Sequence, residues 1–171
     1  MSIVVADTSP INYLLETGYI EVLPRLYGQV ILPDSVHREL LNSESAEIVC
    51  LWAAGLPAWV SVQKPSLAPL RLPTSRLHRG EIDAIALAEE LKAGLILMDD
   101  AAGVQWALER GLTITGTLGV LVEAAQNGWV QINPALEKLK STDFRATAVV
   151  YERARQLAFT KPPILPRRKR E

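Results

Sequence analysis

Short aliphatic runs recur along the chain with longer, helically spaced segments between them, and this alternation restricts the fold more than any other feature. The runs are Ile3-Val4-Val5-Ala6, Val30-Ile31-Leu32, Trp59-Val60-Ser61-Val62, Leu95-Ile96-Leu97-Met98, Leu112-Thr113-Ile114 and Trp129-Val130-Gln131-Ile132. Each reads as a strand. Residues 35–41, 80–91, 101–108 and 118–126 carry apolar side chains at helical spacing, and residues 147–157 read as a last helix that packs on the sheet or on a partner. Strands that alternate with helices predict a parallel sheet covered on both faces. Turn signals stand at the joins: Lys92-Ala93-Gly94 before the fourth strand, Arg110-Gly111 before the fifth and Asn127-Gly128 before the sixth. Pro65, Pro69 and Pro73 mark residues 64–77 as a surface loop within one domain, and no internal repeat is visible.

Composition agrees with a buried α/β core. Of 171 residues 49% are apolar but only 6% aromatic, so the apolar mass is aliphatic, and disordered or fibrous states are excluded. Cys50 is the single cysteine and closes no intramolecular disulfide; with an uncharged start, Met-Ser-Ile-Val-Val-Ala, the expected location is the reducing cytoplasm. Glu89, Glu90, Lys92, Asp99 and Asp100 interrupt the most hydrophobic region, so no run of about eighteen apolar residues is available to cross a bilayer, and no membrane association is expected. Charge is distributed unevenly. Residues 159–171 form a proline-containing basic tail behind a single domain of residues 1–158. The last five, Arg167-Arg168-Lys169-Arg170-Glu171, hold four bases and one acid, which leaves the preceding 166 residues at −4 within a whole-chain charge of −1. The tail reads as a solvated terminus or a nucleic-acid-binding arm.

The placement of acids carries the functional information. Asp7 follows the first strand and Asp99-Asp100 the fourth, so both lie at carboxyl ends of parallel strands, the edge at which open α/β sheets bind ligands. Glu39 lies one turn into a helix opened by Pro33-Asp34-Ser35, directly after the second strand. Glu81 and Asp83 begin a helix that is apolar nearly all round, so a carboxylate there needs a partner. Residues two apart on a helix point about 200° apart, so only one of the two can project to a given site unless Glu81 sits in the first turn and accepts backbone N–H groups. Taken singly, each acid has an ordinary structural reading: an Asx turn for Asp7, a helix cap for one of Asp99 and Asp100, a first-turn acid for Glu81 and a solvated one for Asp83. Together they repel, by about 4 kcal/mol per pair at about 4 Å and an effective dielectric of about 20. No Lys or Arg stands in these strand ends, although Arg38 and Arg79 flank them on helices. A hard divalent cation is the remaining candidate, and all-oxygen ligands select Mg²⁺ or Mn²⁺. Two histidines, His37 and His78, and one cysteine argue against zinc.

Over residues 1–139 the sequence resembles the PIN-domain superfamily of nucleic-acid-cleaving proteins, and its DUF3368 branch in particular. The resemblance rests on Val4-Val5-Ala6-Asp7-Thr8-Ser9-Pro10-Ile11-Asn12, Leu32-Pro33-Asp34-Ser35-Val36-His37-Arg38-Glu39-Leu40, Arg79-Gly80-Glu81-Ile82-Asp83-Ala84-Ile85-Ala86-Leu87-Ala88, Leu95-Ile96-Leu97-Met98-Asp99-Asp100 and Thr115-Gly116-Thr117-Leu118-Gly119-Val120-Leu121. It implies a three-layer α/β/α sandwich with a central, mostly parallel sheet. It also implies a metal-dependent ribonuclease, typically the toxin of a toxin–antitoxin pair held inactive by a small antitoxin protein, with single-stranded RNA as substrate, Mg²⁺ or Mn²⁺ as cofactor and a homodimer as the expected assembly. On this resemblance Asp7 and Glu39 match the first two acids, Glu81 or Asp83 the third, and Asp99 or Asp100 the fourth. The catalytic candidates are therefore Asp7, Glu39, Glu81, Asp83, Asp99 and Asp100, with Asp7, Glu39, Glu81, Asp99 and Asp100 as metal ligands. Thr8, Ser9, Arg79 and Thr117 are the candidate substrate contacts, with Arg38, Arg76 and the tail as weaker ones. Where a basic residue is expected after the paired aspartates, the chain has Ala101-Ala102-Gly103-Val104.

Rival classes lack their own signatures. A haloacid-dehalogenase-like phosphatase needs a second Asp two residues after the first, and that position is Ser9. Dinucleotide binding lacks G-x-G-x-x-G, Gly111 to Thr117 lacks the P-loop lysine, and no G-x-S-x-G serves a serine hydrolase. The other reading is a catalytically weak or inactive PIN-fold module that binds RNA or protein, against which stands the occupation of every acidic position.

Overall fold

The first aliphatic run forms β1 (Val4–Ala6), which is buried along its whole length and is the middle strand of the sheet. Described in the computed structural model are residues 2–42, 44–66 and 76–160; residues 67–75 of the proline-containing loop and the basic tail from residue 161 lie outside them. After β1 come α1 (Thr8–Glu16), α2 (Val22–Tyr27), β2 (Val30–Pro33), α3 (Asp34–Leu40), α4 (Glu47–Ala54), β3 (Val60–Gln63) and α5 (Arg79–Glu90). The chain continues through β4 (Leu95–Leu97), α6 (Ala101–Glu109), β5 (Ile114–Thr115), α7 (Thr117–Gln126), α8 (Ile132–Lys140) and α9 (Ala148–Ala158). The five strands pair in the order β3-β2-β1-β4-β5, and every pairing is parallel. Helices cover both faces, so the α/β sandwich with a parallel sheet is the observed architecture.

Alternation along the strands divides the core between the faces, because successive side chains of a strand point to opposite sides. Val4, Ala6, Val30, Leu32 and Leu97 face one layer, where they meet Leu14, Leu23, Val36, Leu40, Leu121, Leu136 and Tyr151 from the helices. Val5, Ile96 and Met98 face the other and pack on Ala84, Ile85, Leu87 and Ala88 of α5 and Ala107 of α6. The register Val5↔Ile96 and Ala6↔Leu97 keeps these sets aligned between β1 and β4.

The sixth expected strand is absent. Gly128, at φ +75°, turns the chain after α7, Trp129 and Val130 are half-buried, and Gln131 leads into α8. Buried Ile132, Ala135, Leu136 and Leu139 recur at helical spacing, and Pro134 falls in the first turn, where its missing N–H costs nothing. The Arg25 guanidinium lies 4.2 Å from the Trp129 ring centre, so that tryptophan serves a cation–π contact. α1, α2 and α4 were also not marked by the aliphatic runs. Their buried positions, such as Ile11, Leu14 and Leu15 in α1, number only two to four per helix.

Leu121 is fully buried where α7 meets the sheet. Leu121→Ala is expected to lower unfolding free energy by about 2–5 kcal/mol, read as a reduced urea midpoint with an unchanged slope.

Candidate active site

From β1 the chain winds outward to β2 and β3, then returns across the sheet to β4 and β5, so the direction of winding reverses between β1 and β4. Such a switch point opens a crevice at the carboxyl ends of the two strands. Asp7 stands at its edge: its N–H donates to the Leu97 carbonyl at 2.9 Å, so β1 and β4 stay paired up to the residue that bears the carboxylate. Asp7 is the residue before α1 and has extended backbone there (φ −82°, ψ 172°). An aspartate at that position ordinarily accepts N–H groups of the helix. Here the side chain makes no capping bond and is only 3% exposed.

Glu39 approaches from the last turn of α3, where the Thr8 hydroxyl donates to its Oε2. Both carboxylates face Gly80 in the first turn of α5. A methyl carbon on Gly80 would stand 3.1 Å from Asp7 Oδ1 and 3.1 and 3.2 Å from the two Glu39 oxygens, which places Asp7 and Glu39 no more than about 6 Å apart. Glu81 is 4% exposed and its Oε2 accepts the His78 backbone N–H at 3.1 Å, the first-turn arrangement that separates it from Asp83. Asp83 is equally buried but pairs with Arg79 Nε at 2.9 Å. Asp99 accepts two bonds from one residue at the start of α7: Thr117 N–H at 2.8 Å and the Thr117 hydroxyl at 2.6 Å. Asp100 is exposed and caps α6, its Oδ1 accepting from Ala102 N–H at 2.9 Å and Gly103 N–H at 3.3 Å.

Thus Asp7, Glu39, Glu81 and Asp99 line the crevice; Asp83 is taken up by Arg79, while Asp100, exposed at the start of α6, still lies near enough to Glu81 for its charge to act on it. Burial, reinforced by Glu81, Glu39 and Asp99 and opposed by the Thr8 N–H, pushes the Asp7 carboxyl up to about 7. Burial likewise raises Glu81, with Asp100 and Glu39 adding to the effect, and raises Asp99 against the two Thr117 bonds. Among the described residues no Lys or Arg forms an ion pair with any of the four.

The donor set is hard oxygen throughout, it carries uncompensated negative charge, and the space above Gly80 faces three of its oxygens. That chemistry fits Mg²⁺ or Mn²⁺. Among the described residues no three acids, histidines or cysteines are drawn together tightly enough to be a ligand set as they stand. Asp7 and Glu39 are brought together at Gly80, each with an oxygen about 3.1 Å from where a Cβ of that residue would stand.

Of the expected substrate contacts, Thr8 and Thr117 use their hydroxyls to hold Glu39 and Asp99. Arg79 is anchored through Nε yet keeps 73% of its side chain exposed at the rim. Ser9 lines a polar recess of about 460 Å³ that adjoins Glu39 and also includes Asn12, Tyr13, Glu16 and Asp143. Sequence patterning missed this recess. Burial and a hydrogen bond to Asp143 push the Tyr13 phenol up to about 12, and burial with the Asp143 charge raises Glu16. Tyr13 and Glu16 are one helical turn apart on α1, a spacing visible in principle, but Asp143 reaches them from a loop far along the chain.

A family model described as DUF3368, PIN domain, matches residues 3–159. A PilT N-terminus domain protein from the hyperthermophilic archaeon Sulfolobus solfataricus P2 is similar in structure, with a TM-score of 0.50 and 18% sequence identity over 85% of this chain and 98% of that one. At that identity the likeness concerns the fold. No curated protein matches the chain.

The raised acid pKa values set a pH dependence. A carboxyl held at about 7 when folded and near its ordinary 3.8 when unfolded binds its proton more tightly in the native state, so the metal-free protein loses stability as pH rises from about 4 to about 7. Asp7→Asn removes that contribution. In EDTA the variant is expected to match wild type near pH 4 and to exceed it at pH 8 by up to about 4 kcal/mol, read from urea unfolding at the two pH values.

Proposed function

The chain belongs to the DUF3368 family of PIN domains, whose members are typically nucleases that use divalent metals, and from that membership we propose that it is a Mg²⁺- or Mn²⁺-dependent endoribonuclease that hydrolyses phosphodiester bonds of single-stranded RNA. The observation that carries the proposal is the crevice itself: four carboxylates, Asp7, Glu39, Glu81 and Asp99, line the switch point, and among the described residues no Lys or Arg forms an ion pair with any of them. Buried like charges without a counter-charge cost stability, and a structural role offers nothing to offset that cost.

A divalent cation bound there supplies a Lewis acid for a phosphate oxygen and a lowered pKa for an attacking water. The chain's own residues then divide the remaining work. Asp7 and Glu39 provide a ligand pair that meets at Gly80, and the Thr8 hydroxyl sets the direction of Glu39. Thr117 holds Asp99 by two bonds, so that carboxylate is oriented before any substrate arrives. With Asp7 and Glu39 engaged as ligands, a crevice carboxylate that does not hold the cation is the one free to orient the attacking water as general base. Arg79, anchored at one edge by Asp83, leaves its outer guanidinium nitrogens to meet a phosphate at the rim. A single strand can be drawn into such a crevice without melting a duplex, which favours single-stranded RNA as substrate.

Family resemblance supports the role of toxin in a toxin–antitoxin pair, inhibited by a small protein partner, and a homodimer. Apolar side chains on the surface, Ile48 and Leu51 of α4, Val149 near the start of α9 and Phe159 at its end, are suited to such contacts.

The test is cleavage of a labelled single-stranded RNA by purified protein in Mn²⁺, Mg²⁺ or EDTA. Cutting is expected only with metal, and Asp7→Asn or Asp99→Asn should lower it by about a hundredfold or more, since even outer-shell partners of metal ligands cost 10–100-fold. Asp100→Asn should cost less than Asp99→Asn, because its amide oxygen still caps α6. Acid-site variants that cut at the wild-type rate would sink the assignment; an inactive chain that still binds RNA would identify a binding module.

A further inference from the structure

Gly80 occupies a helical position that glycine does not ordinarily favour. It is the second residue of α5 and is buried. Its backbone does not have the positive φ that Gly18, Gly28, Gly111 and Gly128 adopt. Helices favour alanine over glycine at ordinary φ and ψ, so local structure supplies no reason for a glycine here. What the position lacks is a Cβ, and the surroundings of that missing atom are specific. The three nearest atoms a methyl carbon would meet are Asp7 Oδ1 and both Glu39 carboxylate oxygens, at 3.1–3.2 Å; none belongs to the apolar core. Gly103 and Gly116 also lie behind crevice acids, but a methyl carbon there would strike Met98 Sδ at 2.6 Å or Asp99 Oδ1 at 2.5 Å. Those two glycines relieve direct collisions, whereas Gly80 borders a space.

We propose that Gly80 is a positioning residue whose missing side chain keeps open the space that Asp7 and Glu39 share, so that a hydrated divalent cation can be held by both. The proposal rests on the metal-dependent reading above. Mg²⁺ keeps several of its waters when it binds to one or two carboxylates, so the ion needs room beyond its own radius. A methyl group at residue 80 is close enough to take that room and far enough from the three oxygens that they yield by only a few tenths of an ångström. Alanine therefore displaces the ligand oxygens only slightly and places a methyl group among them.

The full-length wild type, Gly80→Ala and Asp7→Asn are compared by circular dichroism, by thermal unfolding with and without Mn²⁺, and by calorimetric Mn²⁺ titration. Gly80→Ala is expected to keep the wild-type spectrum with a metal-free melting temperature equal or higher, to lose the Mn²⁺-induced rise in melting temperature, and to bind Mn²⁺ at least about tenfold more weakly. Asp7→Asn should lose the rise as well. Undiminished Mn²⁺ binding by Gly80→Ala beside a wild type that binds would overturn this inference and leave the nuclease reading intact. A Gly80→Ala chain that fails to fold would assign the glycine to the packing of α5 on β1 and α3, which also overturns it. Wild type that binds no Mn²⁺ would remove the metal-dependent reading, and the role of Gly80 with it.

Discussion

Four carboxylates that line one crevice, with no ion pair to Lys or Arg among the described residues, are the feature around which the molecule is arranged. Asp7, Glu39, Glu81 and Asp99 come from the ends of two strands and from two helices. They meet because a parallel sheet that winds both ways from β1 sends the segments after β1, β2 and β4 to one edge. Burial favours the protonated forms of Asp7, Glu81 and Asp99, and repulsion from neighbouring carboxylates adds to it at Asp7 and Glu81. A fold that tolerates this arrangement must hold the acids firmly from outside the crevice, or they would turn away from one another into solvent.

Neutral donors and helix ends provide that hold. Asp99 and Glu81 lie at the N-terminal ends of α7 and α5, and Asp7 directly precedes α1, positions where backbone N–H groups and the helix dipole favour negative charge. Thr117 grips Asp99 with its N–H and hydroxyl, the His78 N–H grips Glu81, and the Thr8 hydroxyl grips Glu39. None of these donors carries a charge that would neutralise the site. Arg79, at the start of the same helix as Glu81, is bound to Asp83. The division is physically informative: each acid with a structural task has its own partner, and each acid in the crevice is oriented but left electrically uncompensated. Proteins accept such local cost where function requires it, and the aliphatic core on both faces of the sheet supplies the stability that permits it.

The crevice opens at the strand ends beside the Arg79 rim and the polar recess of Ser9, Asn12, Tyr13, Glu16 and Asp143. Under the proposed function an anionic backbone would be repelled by the carboxylates until a cation sits among them, so that binding of substrate and of metal would be coupled through charge.

Sequence by itself determined the elements whose signals are local. Buried runs such as Val4-Val5-Ala6 and Leu95-Ile96-Leu97 read as strands because both of their faces are covered. The acids that follow them could be placed at one edge because parallel strands all end there. Helices with few buried positions, α1, α2 and α4, were not legible, and the run Trp129-Val130-Gln131-Ile132 resembled a strand because three apolar residues carry no period; its tryptophan packs under Arg25 and its isoleucine begins α8. Which acid of each doublet enters the crevice was decided only by tertiary structure. Glu81 and Asp83 are two residues apart in a helix and Asp99 and Asp100 are adjacent, so composition and spacing treat the members alike. The fold separates them by what lies within reach, Arg79 for Asp83, the α6 backbone for Asp100 and Thr117 for Asp99. The space at Gly80 belongs to the same class of fact, since it exists only where α5 brings a residue without a side chain against carboxylates from β1 and α3, and contact between segments so distant along the chain has no local signature.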